Sequence, residues 1–252
     1  MIPKRPVSWT SLKKLSLSYC NLSDESVDKF LSGCPILESL TLHYYPMQIV
    51  APHIHRLILR NSQCPCTLVD VSSLTEARVN FWFCSIERTL LEAHNPLQLM
   101  MLGKLQNVEK LTIGGDFLQL LSFVELRIDP FPMFKVKNLT IETPIFQFVI
   151  PPAVKRVLQN SPDLKKLTIH TRTCETILVR WDVESKHLAS FVELLLKNTK
   201  RIEKMIVHLE DRYLKARDFK RLVRTLSHNN DVSIVFSTKP KTSDEWEIIG
   251  FP

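Results

Sequence analysis

One spacing recurs along this chain: an apolar residue, two variable positions, then two apolar residues one position apart. SLKKLSLSYCNL carries it most fully, with Leu12, Leu15, Leu17, Cys20 and Leu22 in an LxxLxLxxCxL arrangement. LESLTLHYYPM repeats it with Leu37, Leu40, Leu42 and Met47, and IHRLILRNSQC with Ile54, Leu57, Leu59 and Cys64. A weaker copy holds Leu74, Ala77, Val79 and Cys84. Later copies are VEKLTIGGDFL (Val108, Leu111, Ile113, Leu118) and VKNLTIETPIF (Val136, Leu139, Ile141, Phe146). LKKLTI (Leu164, Leu167, Ile169) and IEKMIV (Ile202, Met205, Val207) follow, and a ninth apolar strand, VSIVF, has Val232, Ile234 and Phe236. The first residue of each close pair falls at 15, 40, 57, 77, 111, 139, 167, 205 and 234, in steps of 25, 17, 20, 34, 28, 28, 38 and 29.

This is the leucine-rich-repeat pattern, whose period is about 20–29 residues. Apolar residues two apart point to one face of a short strand. A second pattern precedes several of the strands: DESVDKFLSGCPIL, VKRVLQNSPDL, SFVELLLKNTKRI and DFKRLVRTLSHNNDV each have an apolar stripe at helical spacing. Each ends in a stop cluster, Gly33-Cys-Pro, Asn160-Ser-Pro, Asn198-Thr or His228-Asn-Asn. Ser23 or Asp24 is placed to cap the first helix, and Asp218 the last. A helix between successive strands makes them parallel. The fold class predicted is therefore α/β, a leucine-rich-repeat solenoid with a parallel sheet on its concave face and helices on its convex face. FVELRI, with Leu126 and Ile128, is an extra apolar segment that the repeat does not place.

Leucine is 36 of 252 residues and glycine only 5, with no GxGxxG or GxxxxGK to cradle phosphate. A composition of 44% hydrophobic and 23% charged residues excludes a disordered or fibrous chain. The net charge of +7 would suit acidic partners or nucleic acid. Its densest basic stretch, Lys197 to Arg224, also holds Glu203, Glu210, Asp211 and Asp218, so it reads as a solvated mixed face. No aromatic-and-basic motif of an RNA-binding sheet appears, and nucleic acid is not the expected partner. MIPKRPVSWTSL lacks the apolar core of a signal peptide, and FLQLLSFV is far shorter than the ~18 residues of a membrane span. An intracellular chain with reduced thiols, in cytoplasm or nucleus, is expected, with no membrane contact. Cys64 and Cys66 have no second CxxC or paired histidines, so no metal and no cofactor is expected. No Ser–His–Asp or Cys–His set assembles at a known spacing, and an enzyme is not expected.

LSDESVDKFLSGCPILESLTL resembles the repeat-opening segment of plant F-box/leucine-rich-repeat proteins, and VKRVLQNSPDLKKLTI their later repeats. SFVELLLKNTKRIEKMIV resembles their C-terminal FBD region, and LSHNNDVSIVF the tail strand of one branch. The resemblance runs over residues 8–238. It divides the chain into an N-terminal extension (1–7), leucine-rich repeats (8–180), FBD-like repeats (181–238) and a C-terminal tail (239–252). It implies a protein-interaction module similar to the substrate-recognition region of an SCF-type ubiquitin-ligase receptor, with a protein target. In that family an F-box docks on a Skp-type adaptor. The first repeat here begins by about Ser8, so this sequence is read as lacking the F-box, and an adaptor is expected only if one lies upstream. The alternative is a ubiquitin-independent repeat scaffold or a decoy interaction protein. Without a cap, the strand around Leu12–Leu17 is expected to leave the N-terminus marginally soluble or self-associating.

Partner contacts are expected on the concave sheet, at the residues between and after the paired leucines. One row reads Ser16, Thr41, Ile58, Arg78, Thr112, Thr140, Thr168 and Ile206; the next reads Ser18, His43, Arg60, Asn80, Gly114, Glu142, His170 and His208. Tyr44, Tyr45, Phe81 and Trp82 lie beyond the strand ends. Tyr, Trp and Arg are enriched at interface hot spots. The stretch His43 to Trp82 is thus the favoured partner site, although Phe81 and Trp82 could equally plug an irregular repeat. Glu142, His170 and His208 should stand about 4.8 Å apart in a straight row, which does not converge on one ion and reads as solvated lining.

Overall fold

The computed structural model describes residues 8–18, 23–43, 48–60, 67–81, 101–115, 117–118, 121, 131–144, 152–172, 185–209 and 232–238. Eleven strands are described: β1 (Lys14–Leu17), β2 (Ser39–His43), β3 (Gln48–Val50), β4 (Arg56–Arg60), β5 (Thr67–Asp70), β6 (Glu76–Phe81), β7 (Lys110–Gly115), β8 (Asn138–Pro144), β9 (Lys166–Arg172), β10 (Lys204–Leu209) and β11 (Ser233–Thr238). Helices α1 (Asp24–Ser32), α2 (Pro152–Gln159) and α3 (Ser185–Lys197) join them.

Nine strands form one parallel sheet in the order β1-β2-β4-β6-β7-β8-β9-β10-β11. Its register follows the repeat without a slip. Leu15, Leu40, Leu57, Ala77 and Leu111 are successive Cα partners. Leu139, Leu167, Met205 and Ile234 continue the same line. The unequal steps along the sequence are taken up outside the strands. β9 and β10 pair across the sequence boundary at 180/181, so both repeat segments share one sheet.

The register follows from burial. Both apolar residues of each pair point into the core, and sliding a strand by one residue would turn them to water. Leu40, Leu59, Val79, Leu167, Ile169, Met205 and Val207 are fully buried, as are Val108, Val136 and Leu164 three positions before their pairs. At the ends of the array Leu12, Leu15, Leu17, Val232 and Phe236 are only half-buried. Each fully buried leucine contributes about 2 kcal/mol.

A backbone ladder reinforces the stack at the strand starts. The Lys13 carbonyl accepts from the amides of Glu38 and Ser39, and the Glu38 carbonyl accepts from those of His55 and Arg56. The same pairing passes through His55, Thr75, Glu109, Lys137 and Lys165. Side chains at this margin close exposed ion pairs between neighbouring repeats: Lys13–Glu38 at 2.8 Å, Glu109–Lys137 at 2.6 Å and Lys165–Glu203 at 3.0 Å. The pairing raises the Lys13 pKa and lowers that of Glu38.

The convex layer is mixed. The helices read from DESVDKFLSGCPIL, VKRVLQNSPDL and SFVELLLKNTKRI are present; the helix read over DFKRLVRTLSHNNDV, Asp218 with it, lies outside the described residues. The returning legs of two repeats, however, are the strands β3 and β5, paired with each other in a separate parallel sheet. The cause is length. β2 and β4 follow each other after a 17-residue step and β4 and β6 after 20, leaving 12 and 15 residues between the strands where the returns holding α1 and α2 have 21 each. Ile49 and Leu68 bury the apolar face that a helix would supply. The layer stays continuous: α1 packs beside β3. Lys104 Nζ donates to the Val69 carbonyl of β5 at 2.7 Å, the Phe134 amide donates to the Asn160 carbonyl after α2, and Gln159 Nε2 donates to Asn198 Oδ1 after α3.

Glycine is scarce because polar side chains end these helices. Asn160 Nδ2 donates to the Arg156 carbonyl at 2.9 Å and Ser161 Oγ to that of Val157 at 2.7 Å. Asn198 Nδ2 donates to the Leu194 carbonyl and Thr199 Oγ1 to that of Leu196. Gly33 after α1 has φ −77°, an ordinary right-handed conformation. Ser23 holds the N-cap position, but its hydroxyl meets Ser26 Oγ at 2.9 Å rather than a backbone amide. Trp9 stacks on Phe30 of α1 with ring centroids 5.8 Å apart. FVELRI, Cys20, Cys64 and Cys84 lie outside the described residues.

Candidate functional site

Alternation along the nine strands places three rows of side chains on the concave face. The middle row runs Ser16, Thr41, Ile58, Arg78, Thr112, Thr140, Thr168 and Ile206, and extends to Val235. The C-terminal row runs His43, Arg60, Asn80, Gly114, Glu142, His170, His208 and Ser237. A third row, at the strand starts, had not been singled out from the sequence: Lys14, Ser39, Arg56, Glu76, Lys110, Asn138, Lys166, Lys204 and Ser233.

The site residues read from the sequence divide into two groups. His43 and Arg60 are register partners at the N-terminal end of the face. Burial, and then the Arg60 charge, holds the His43 imidazole below its ordinary pKa. Tyr44, Tyr45 and Trp82 lie outside the described residues; Phe81 ends β6 opposite Gly115.

The second group departs from the solvated lining expected of it. Arg78 Nη2 of β6 reaches across β7 to Glu142 Oε1 of β8 at 2.6 Å, and both side chains are largely buried, 17% and 7% exposed. Asn80 Nδ2 donates to the other carboxylate oxygen, Oε2, at 3.4 Å. Gly114 of β7 lies between them in the row. A Cβ there would stand 2.9 Å from the Glu142 Cβ, 3.1 Å from the Glu142 carbonyl oxygen and 3.3 Å from Asn80 Cγ. The missing side chain is the passage through which two non-adjacent strands touch. Arg78, Asn80 and Glu142 thus form a buried polar clamp, held by a charge-assisted pair whose components are 64 residues apart.

His170 and His208, adjacent in register, stack with centroids 4.5 Å apart and an interplanar angle of 11°. His208 Nδ1 meets Ser237 Oγ at 2.9 Å. Ser237 was not picked out from the sequence, although VSIVFST continues the same two-residue alternation. Face-to-face rings do not turn their nitrogens toward one point, and among the described residues no group of three His, Cys, Asp or Glu could hold a metal ion. Among the described residues no helix is long and apolar enough to cross a membrane.

The described surface is therefore a ladder of fixed polar positions rather than a convergent reaction centre. Comparison with known proteins places this arrangement. The family model for the leucine-rich repeats of an FBD-associated F-box protein, At5g56370, matches residues 1–145. The chain is 48% identical to the putative F-box/LRR-repeat protein At3g18150 of Arabidopsis thaliana, over 92% of this chain and 63% of that protein. It is 46% identical to the probable F-box protein At1g60180 of the same plant, over 94% and 91% of the two chains. With the F-box/LRR-repeat protein At5g02910 the identity is 43%, over 93% of this chain and 65% of the relative. The chain thus spans a little under two thirds of the length of two of these three relatives.

Proposed function

The chain belongs to the F-box/LRR-repeat protein family, and on that premise we propose that it is a protein-binding module that recognises its target on the concave sheet. The role is binding rather than catalysis. One observation carries this reading: nine strands share a single register, so every repeat presents polar or charged positions to one continuous face while its apolar pairs are consumed inside. Such a face suits recognition of an extended surface on another protein.

Within that reading the chain corresponds to the substrate-recognition region of an SCF-type ubiquitin-ligase receptor, acting in the cytoplasm or nucleus. His43 and Arg60 supply the polar contacts at the N-terminal end of the face. The test is site-specific photo-crosslinking in plant extract. A crosslinker at Arg60 or Thr140, on the concave sheet, is expected to capture a discrete protein set that a crosslinker at Lys155, on the outer helix α2, does not. Identical capture from both faces would overturn the assignment. Co-precipitation of a Skp-type adaptor with the chain separates the roles. Adaptor binding supports ligase membership; capture without adaptor favours the ubiquitin-independent scaffold or decoy. Imaging a fluorescent fusion checks the compartment, and a secreted fusion would refute it.

A further inference from the structure

The strand-start row carries a charge that the fold does not use. On the three concave rows, four lysines and three arginines stand against two glutamates, and each glutamate is already paired with an arginine: Glu76 with Arg56 at 3.0 Å and Glu142 with Arg78. Lys110, Lys166 and Lys204 are exposed and form no ion pair among the described residues. The positions just before this row pair with one another, Lys137 with Glu109 and Lys165 with Glu203. Beyond Glu76, the register partner of Lys110, the strand-start row carries no carboxylate from β7 to β11, whereas the outer margin carries Glu109 and Glu203. Lys166 and Lys204 are direct register partners, and like charges placed opposite each other weaken a strand pair. A stability cost kept on a solvent-facing row points to a use outside the fold.

We propose that the strand starts from β7 to β10 dock an extended acidic segment of a protein partner, one that carries aliphatic side chains among its carboxylates. This rests on the concave-face reading and specifies the partner's chemistry. Lys110, Asn138, Lys166 and Lys204 span three strand steps, about 14 Å, which an extended segment covers in roughly four to five residues. Asn138 adds hydrogen-bonding capacity without another charge. The next row offers the half-buried hydroxyls of Thr112 and Thr140 and, past buried Thr168, half-buried Ile206 and exposed Val235, an apolar step beside Lys204 for an aliphatic side chain. A protein segment fits better than single-stranded nucleic acid. Base stacking needs open aromatic platforms, and the rings described on these rows from β7 to β11, His170 and His208, stack on each other.

Fluorescence anisotropy on the full chain tests this, using a labelled, roughly twelve-residue peptide of glutamate interspersed with leucine, long enough to cross the row at any register. The glutamine counterpart and an oligothymidylate are the comparison probes. The glutamate peptide is expected to bind about tenfold or more tightly than the glutamine one. Lys166→Glu with Lys204→Glu should weaken it by about tenfold, and the same two positions changed to Gln should fall in between. Lys155→Glu with Lys200→Glu makes an equal charge change away from the row and should cost less than about twofold. Circular dichroism on each variant reports that it is folded. Equal binding of the two peptides, equal loss in the control variant, or tighter binding of the oligothymidylate would overturn the proposal. If the Lys166→Glu/Lys204→Glu chain captures the same proteins as the parent through the crosslinker at Arg60, the acidic-partner inference fails and the concave-face reading stands.

Discussion

Gly114 and the side chains that close over it decide how the middle of the concave face is organised. A methyl group at this position meets the Cβ and backbone of Glu142, neither of which can swing aside. Gly114→Ala should therefore cost about 1–3 kcal/mol in urea unfolding, the usual range for overpacking. Gly103 is the internal comparison: its nearest contact is the flexible Gln106 Nε2 at 3.8 Å, so Gly103→Ala should be neutral or stabilise by up to about 1 kcal/mol. Removing one member of the buried pair leaves the other uncompensated, so Arg78→Met should cost about 3–5 kcal/mol, and Arg78→Met with Glu142→Leu should recover most of it. His43 gives a pH signature. Burial and Arg60 depress its folded pKa below 6.5, so the unfolded chain binds the proton at higher pH than the folded one. Its contribution is complete above pH 6.5 and is lost as pH falls through the depressed folded value. His43→Gln should flatten the loss of unfolding free energy over that acid window. None of the Arg78–Glu142 contact was legible in the sequence. Period-2 alternation puts both residues on one face but in different rows and on strands two steps apart. Only strand order, a long guanidinium arm and an intervening glycine bring them together.

At the level of elements, the apolar pairs were readable because a strand in this array has one job, burial of two side chains on one face. The returning legs were less readable, since a helix and a short strand can both supply one buried residue to the same layer. Spacing was the missed signal: steps of 17 and 20 residues leave shorter returns than the steps that hold α1 and α2, and favour the β3 and β5 geometry. The scarcity of glycine was legible, and its mechanism is now specific: amide and hydroxyl side chains satisfy the last carbonyls of α2 and α3. Asn198 has two duties, donating to the Leu194 carbonyl and accepting from Gln159 of the preceding repeat. Asn198→Ala should cost about 1–2 kcal/mol and lower the thermal midpoint, measured by circular dichroism, more than Gln159→Ala, which breaks only the link between repeats.

For the whole molecule, the stack implies a gradient of local stability. β7 to β9 have neighbours on both sides and fully buried pairs, whereas Leu15, Leu17 and Phe236 at the ends of the sheet are half-buried. Native-state hydrogen exchange should show slower amides at Leu111, Leu139 and Leu167 than at Leu15 or Val235, and a uniform pattern would contradict a linearly stacked array. The unslipped register has a further meaning. Loops between strands absorb steps from 17 to 38 residues, yet a concave residue keeps the same column in the sheet however long the loop before it. Each concave residue therefore has a two-part address, strand and row, and the face behaves like a keyboard. Individual keys can be exchanged, and whole loops lengthened or cut, without moving the rest. A lineage built on this plan can change what it recognises one letter at a time while its frame stays still.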